Sequence, residues 1–299
     1  SKDFHKLVKT IDVGPAPFGL RQIIVSEDGR RVYVAAPDRS GFAKPVTGFD
    51  NSRIYVINVD QADRPEDTTH NPKKFWEAIA HVDTGKETYA LRNTGDATRI
   101  LYTNRYTDDQ HAVSVLQVLD DEATTFSTSP IFQPDKGLTL GSSADSFDAN
   151  NAIDLAVIPA DTFKDVIGSH PEYILVGAYN RFQQGVPSSD PDYLSGPGAG
   201  QPSGSNIGIV RDGVLVSATT PMPIGVLDNL ALASGYNYLF AAFRGIDIRV
   251  PDPTAPLGFY TTTGAVMVYN LVNLIGQVEY FYDNPVGQTL QHRLARFPI

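Results

Sequence analysis

Hydrophobic positions fall in short runs separated by turn residues, and the runs recur in a fixed order. An apolar run at 20–25 leads through Ser26-Glu27-Asp28-Gly29 into a second run at 31–36, and a third follows at 53–58. The order returns at 90–92, 99–103 and 112–116, with Asn93-Thr94-Gly95-Asp96 as the turn. It returns at 152–157, 173–178 and 206–210, and again at 229–232, 238–242 and 264–269 around Ser234-Gly235. Each copy closes on a more polar run, at 75–82, 126–132, 214–218 and 277–282. Runs this short, bounded by Gly, Asn and Asp, predict strands rather than helices. Continuous apolar runs predict strands covered on both faces, and the alternating closing runs predict outer strands with one wet face. Residues 7–14 alternate and end in Gly, as 80–85 do, and so predict one more outer strand.

A repeated unit of antiparallel strands, apolar inside and amphipathic outside, predicts the blade of a β-propeller. The expected fold is all-β, a β-propeller of four-stranded antiparallel blades in one domain spanning 1–299. The blade-like units are 15–82, 86–133, 150–220 and 226–284, with 285–299 as the start of a further blade. Second strands recur roughly every 65 to 75 residues, where ordinary blades repeat every 40 to 45 or so, and the excess lies in long loops. About four elaborated blades fit. The ring is therefore expected to be incomplete, a fragment of a longer propeller; a compact ring of four or five blades is the alternative. A two-sheet sandwich also yields many short strands, but the even recurrence of the whole unit favours blades.

The first copy carries a more specific likeness. Ile24-Val25-Ser26-Glu27-Asp28-Gly29-Arg30-Arg31-Val32-Tyr33-Val34-Ala35, followed by Ser52-Arg53-Ile54-Tyr55-Val56-Ile57-Asn58, resembles the YVTN/lactonase-like β-propeller repeat. The likeness is good in the first copy, fair in the second and fourth, and weak in the third. It implies the propeller fold. Its lactonase side implies a hydrolase acting on a sugar lactone or similar ester.

Composition narrows the classes. The chain has 299 residues, no Cys, 25 Gly and 21 Pro, and its net charge is −10. Asp outnumbers Glu, 27 to 7, which suits turns over helices. The acidic balance argues against nucleic acid and against anionic membrane surfaces as partners. No stretch approaches the 18 or so apolar residues of a spanning helix, so membrane insertion is not expected. Absence of Cys together with abundant Asp, Tyr, Thr and Gly suggests a secreted or cell-surface protein of bacterial type.

Candidate chemistry is sparse. The six His form no close metal pair, and neither a Gly-x-Ser-x-Gly elbow nor a thiol is present. Gly196-Pro197-Gly198-Ala199-Gly200 lacks the Lys-Ser/Thr ending of a phosphate loop. The densest oxygen-rich run offers Asp145, Asp148 and Asn150 as ligands for calcium, a cation that takes hard oxygen donors; Asx-turns are the plainer use of such a run. Aligned copies place Arg21, Arg92, Asp154 and Asp228 near the starts of the innermost strands, where a propeller has the mouth of its channel. They would form ion pairs between blades or line a polar ligand pocket. Three functions follow: a non-catalytic binding module using long loops, with a protein or carbohydrate partner; a lactonase-like hydrolase with a polar site at the channel mouth; or a structural and assembly domain that forms homo-oligomers through exposed strand edges.

Overall fold

The computed structural model describes residues 7, 9–16, 18–38, 52–64, 74–85, 87–104, 112–131, 152–180, 204–219, 226–251, 254, 259–283 and 293–294. It is an all-β fold of propeller-blade sheets, each built on strands consecutive in sequence, with one further edge strand added to the third. Sheet 1 has the order β1 (Ile23–Val25), β2 (Arg31–Ala36), β3 (Arg53–Asn58) and β4 (Ala78–Asp83). Sheet 2 runs β5 (Thr88–Asn93), β6 (Arg99–Asn104), β7 (Val113–Val118) and β8 (Phe126–Pro130). Sheet 3 runs β9 (Ala152–Ile158), β10 (Tyr173–Asn180), β11 (Gly204–Arg211) and β12 (Val214–Thr219), with the short helix α1 (Lys164–Ile167) between β9 and β10. Sheet 4 has β13 (Val226–Leu232), β14 (Tyr238–Pro251) and β15 (Phe259–Asn270).

The tight turns are set by backbone chemistry. Gly29, Gly95 and Gly235 each hold a left-handed φ, between 72° and 81°, which costs a residue without Cβ little. In sheet 1 the Ser26 hydroxyl accepts the Arg31 amide at 2.9 Å and donates to Asp28 at 2.6 Å, closing the hairpin from inside.

Two expected strands are not found. Residues 277–282, expected as the outer strand of the last copy, belong instead to a helix, α2 (Leu271–Asp283). The reason lies just upstream: Leu271, Leu274, Ile275 and Val278 recur at helical spacing and are all buried. Asn270 starts the helix by accepting the Asn273 amide at 3.0 Å. Sheet 4 thus has three strands. Residues 9–16 take no strand pairing; Ile11, Val13 and Ala16 instead pack against Val34, Ala36, Tyr55 and Ile57 of sheet 1. Of segment 285–299, only Arg293–Leu294 (β16) is described, and it pairs parallel with β12 as an added edge of sheet 3.

The chain divides into two compact units, Ser1–Tyr102 with Val115–Ser129, and Thr103–Ser114 with Pro130–Ile299. In the first, sheets 1 and 2 meet through Tyr33, Ala35, Ile54 and Val56 against Leu91, Ile100, Tyr102 and Leu116. Burial pushes the Tyr33 hydroxyl up to about 12. The native state then keeps a proton that the unfolded chain releases near pH 10 or so. This contribution is complete below about pH 10 and lost as pH rises towards 12. Alkaline unfolding followed by tyrosinate absorbance is expected to begin later in Tyr33→Phe.

In the second unit, sheets 3 and 4 share one core with α2, including Ile207, Ile209, Leu227, Leu230, Leu239, Phe243 and Ile275. The sheets approach closely at Gly177, where an added Cβ would lie 2.3 Å from Leu227 Cδ2 and 3.2 Å from Leu230 Cδ1. Gly177→Ala is therefore expected to cost about 1–3 kcal/mol by overpacking, read as a lower midpoint in denaturant with unchanged slope.

Candidate functional site

Connections between second and third strands define one end of each sheet. In sheet 1 the Asp38 amide donates to Ser52 Oγ at 2.8 Å, bracketing residues 39–51. In sheet 2 the Asn104 amide donates to the Ala112 carbonyl at 2.8 Å, bracketing 105–111. In sheet 3 Asn180 pairs with Gly204 across 181–203, and in sheet 4 Pro251 pairs with Phe259 across 252–258. The first-to-second connections, at the other end, are tight turns in sheets 1, 2 and 4. Antiparallel order puts each second-to-third connection at the end where the innermost strand begins. Every sheet therefore carries its insertion beside the start of its own innermost strand.

The four predicted channel-mouth residues occupy different places. Arg21 precedes β1, and its amide donates to the Ala35 carbonyl at 2.9 Å, so the ladder continues past the strand's first residue. Its guanidinium lies over the Tyr89 ring, 5.4 Å from the centroid. Arg92 is near the other end of β5, three residues before Gly95, and donates to the Leu91 carbonyl at 2.8 Å. Asp228 is the third residue of β13 and half-buried. Asp154 is the third residue of β9 and only 2% exposed. Its Oδ1 accepts the Leu155 amide at 2.8 Å, and its Oδ2 accepts the Leu230 amide of β13 at 2.7 Å. Asp154 thus ties two innermost strands together through backbone N–H groups. Arg21 and Arg92 lie in one compact unit, and Asp154 and Asp228 in the other. Asp145, Asp148 and Asn150 lie outside the described residues.

Other residues do comparable work without standing out in the sequence. Gln22 Oε1 accepts the Leu91 amide at 2.9 Å, the counterpart in sheets 1 and 2 of the Asp154 tie. Ser205 Oγ accepts the Leu227 amide at 2.9 Å, linking β11 to β13. A lone Gln or Ser on an apolar strand gives no such signal. At the opposite end of sheet 1, Arg31 is 4% exposed and donates to Asn58 Oδ1 at 2.8 Å and to the Glu122 carbonyl of sheet 2 at 3.2 Å. Arg30 pairs with Asp60 at 2.5 Å. Burial opposes ionisation of Asp60, but the Ala62 amide and Arg30 outweigh it and hold the carboxyl below its ordinary range. The two adjacent basic residues of the repeat are therefore structural: one reaches the next sheet, the other fixes the turn after β3.

A third cluster anchors α2. Tyr173 Oη donates to Glu279 Oε1, and Arg211 Nε approaches that oxygen at 3.3 Å. Burial and the neighbouring Glu279 carboxylate push the Tyr173 hydroxyl well above its ordinary value. Nearby, His170 Nε2 accepts the Phe163 amide at 3.0 Å while Nδ1 lies 2.8 Å from the Pro171 carbonyl. These roles assign the neutral tautomer with its proton on Nδ1.

Among the described residues, no group of three or more His, Asp or Glu could hold a metal ion, and no helix is long and apolar enough to cross a membrane. No protein-family model matches the chain, and no curated protein matches it. Solved structures do resemble it. The Myceliophteria thermophila Cps50 (Swd1) β-propeller domain is 10% identical at a TM-score of 0.41, over 85% of this chain and 61% of its own. Kuenenia stuttgartiensis hydrazine synthase is 13% identical at a TM-score of 0.47, over 95% and 59%. The Pseudomonas aeruginosa periplasmic gluconolactonase PpgL is 12% identical at a TM-score of 0.39, over 81% and 56%. The chain spans about six-tenths of the length of these proteins.

Proposed function

We propose that the chain is a non-catalytic recognition module of a secreted or surface protein, binding a protein or carbohydrate partner through the insertions at its sheet ends. One observation carries this reading: each of the four sheets is interrupted at the same connection, beside its innermost strand, while the ladders that flank the insertion continue up to it. Rigid strands bearing variable segments at one end are a usual way to present a binding surface. The buried Asp154 and the Gln22 amide oxygen favour the same reading, because both are occupied by backbone N–H groups that hold sheets together.

The test is direct. The purified chain is applied to arrays of immobilised glycans and extracellular proteins, beside a variant in which 181–203 is replaced by a short Gly-Ser linker. Saturable binding to at least one array member that is lost on replacement, with an unchanged circular dichroism spectrum, is the expected result; a glycan bound equally by both forms is held elsewhere on the chain. Turnover of a sugar lactone above the buffer rate by the intact chain would overturn it.

A further inference from the structure

A second site lies at the other end of sheet 1, in the connection between β3 and β4. The turn before β4 contains two non-glycine residues in the left-handed region, Lys74 at φ 49° and Trp76 at φ 59°. Left-handed backbone is uncommon without glycine and an outlier for a bulky side chain. Such strain persists only where its surroundings impose it, and it concentrates at ligand sites.

Here the surroundings are on view. The Trp76 amide donates to the Asn58 carbonyl at 2.8 Å, the Asn58 amide to the Glu77 carbonyl at 3.0 Å, and the Glu77 amide to the Lys74 carbonyl at 3.0 Å. Asn58 is itself buried, and its side chain is gripped by Arg31 on one side and by Asp63 at 2.8 Å on the other. The turn is thus bolted to the end of β3. What it holds in place is a stack of side chains. The Phe75 and Trp76 rings are stacked at 5.0 Å with an interplanar angle of 23°, and the Arg64 guanidinium lies over Phe75, 5.7 Å from its centroid. Gln61 and Arg64, both exposed, and Asp60 come from the same connection.

We infer that this turn is a saccharide-binding platform, with Trp76 as the surface on which a pyranose ring lies. A flat indole offers a large amphipathic face that loses little freedom on binding, because its amide is held by the Asn58 carbonyl and its ring is stacked on Phe75. Gln61 and Arg64 supply the few planar polar groups that orient a polyhydroxylated ligand. A cationic ligand is disfavoured, because Arg64 already occupies the aromatic stack with positive charge. The platform stands apart from the insertion-bearing sheet ends, so failure of either reading leaves the other intact.

The chain has one Trp, so its fluorescence reports on this site alone. The experiment titrates the full chain with methyl glucopyranosides, galactopyranosides and mannopyranosides and with their oligosaccharides. A saturable change in tryptophan emission with at least one of them is expected. By calorimetry, Phe75→Ala and Arg64→Ala should weaken that ligand about tenfold, roughly one decade of Kd, and Trp76→Phe should weaken it less than Trp76→Gly. Trp76→Gly is the decisive variant, since glycine accepts the left-handed φ: binding should vanish while the thermal midpoint is not lowered. Emission unmoved by every sugar, binding that survives in Trp76→Gly, or a lowered midpoint in that variant with no sugar effect would each overturn the inference.

Discussion

Glu279→Ala is expected to destabilise the second unit by about 3–5 kcal/mol, the scale for removing one partner of a buried charged pair. Glu279 is 8% exposed and receives both the Tyr173 hydroxyl and the Arg211 guanidinium. Without it, a buried phenol and a mostly buried cation lose an acceptor in the same place, and α2 loses its only ionised hold on sheet 3 among the described residues. Glu279→Gln should cost less, because an amide oxygen still accepts from Tyr173. Urea unfolding followed by far-ultraviolet circular dichroism measures both. Equal effects of the two variants would show that the charge contributes nothing.

Asp154→Ala is the second large effect, expected at about 2–6 kcal/mol, since it leaves two buried amides without that acceptor at about 1–3 kcal/mol each. The amides belong to Leu155 and Leu230, so the loss should fall on the junction of sheets 3 and 4. Native-state hydrogen exchange would resolve it: faster exchange should concentrate on β9 and β13 and spare sheets 1 and 2. Asp154→Asn keeps one acceptor oxygen and should recover about half of the loss. If Asp154 faced a ligand instead, Asp154→Ala would leave stability unchanged or raise it.

Much of the architecture was legible because strand chemistry is local. The turns at Gly29, Gly95 and Gly235 sit where residue type demands, and the runs beside them form the inner strands. What misled was residues 277–282, which alternate like an outer strand over a short window. The helical stripe starts at Leu271, between the runs at 264–269 and 277–282, so the closing run covers only the second half of the helix and shows the wrong period. Residues 7–14 carry a strand pattern, but a pattern does not supply the partner edge that a ladder needs.

The site was less legible for a different reason. Arg21, Arg92, Asp154 and Asp228 share a neighbourhood in sequence, each following an apolar residue, yet their distance from the turn differs: Arg92 lies three residues before Gly95, Asp228 seven before Gly235 and Arg21 eight before Gly29. Charge marked these positions, whereas hydrogen bonding decides what they do, and the uncharged Gln22 performs the same task as Asp154. The Trp76 platform depends on two backbone angles, and no residue type encodes those.

The pairing of Asn180 with Gly204 has one further consequence. Because ladder partners hold both ends of the excursion between them, its length is nearly decoupled from the stability of the sheet: doubling it costs only about 0.6 kcal/mol in closure entropy. Descendants of such a chain can lengthen, shorten or recompose that segment while the strands beneath remain under unchanged selection. The same decoupling makes 181–203 a natural place to graft a foreign epitope.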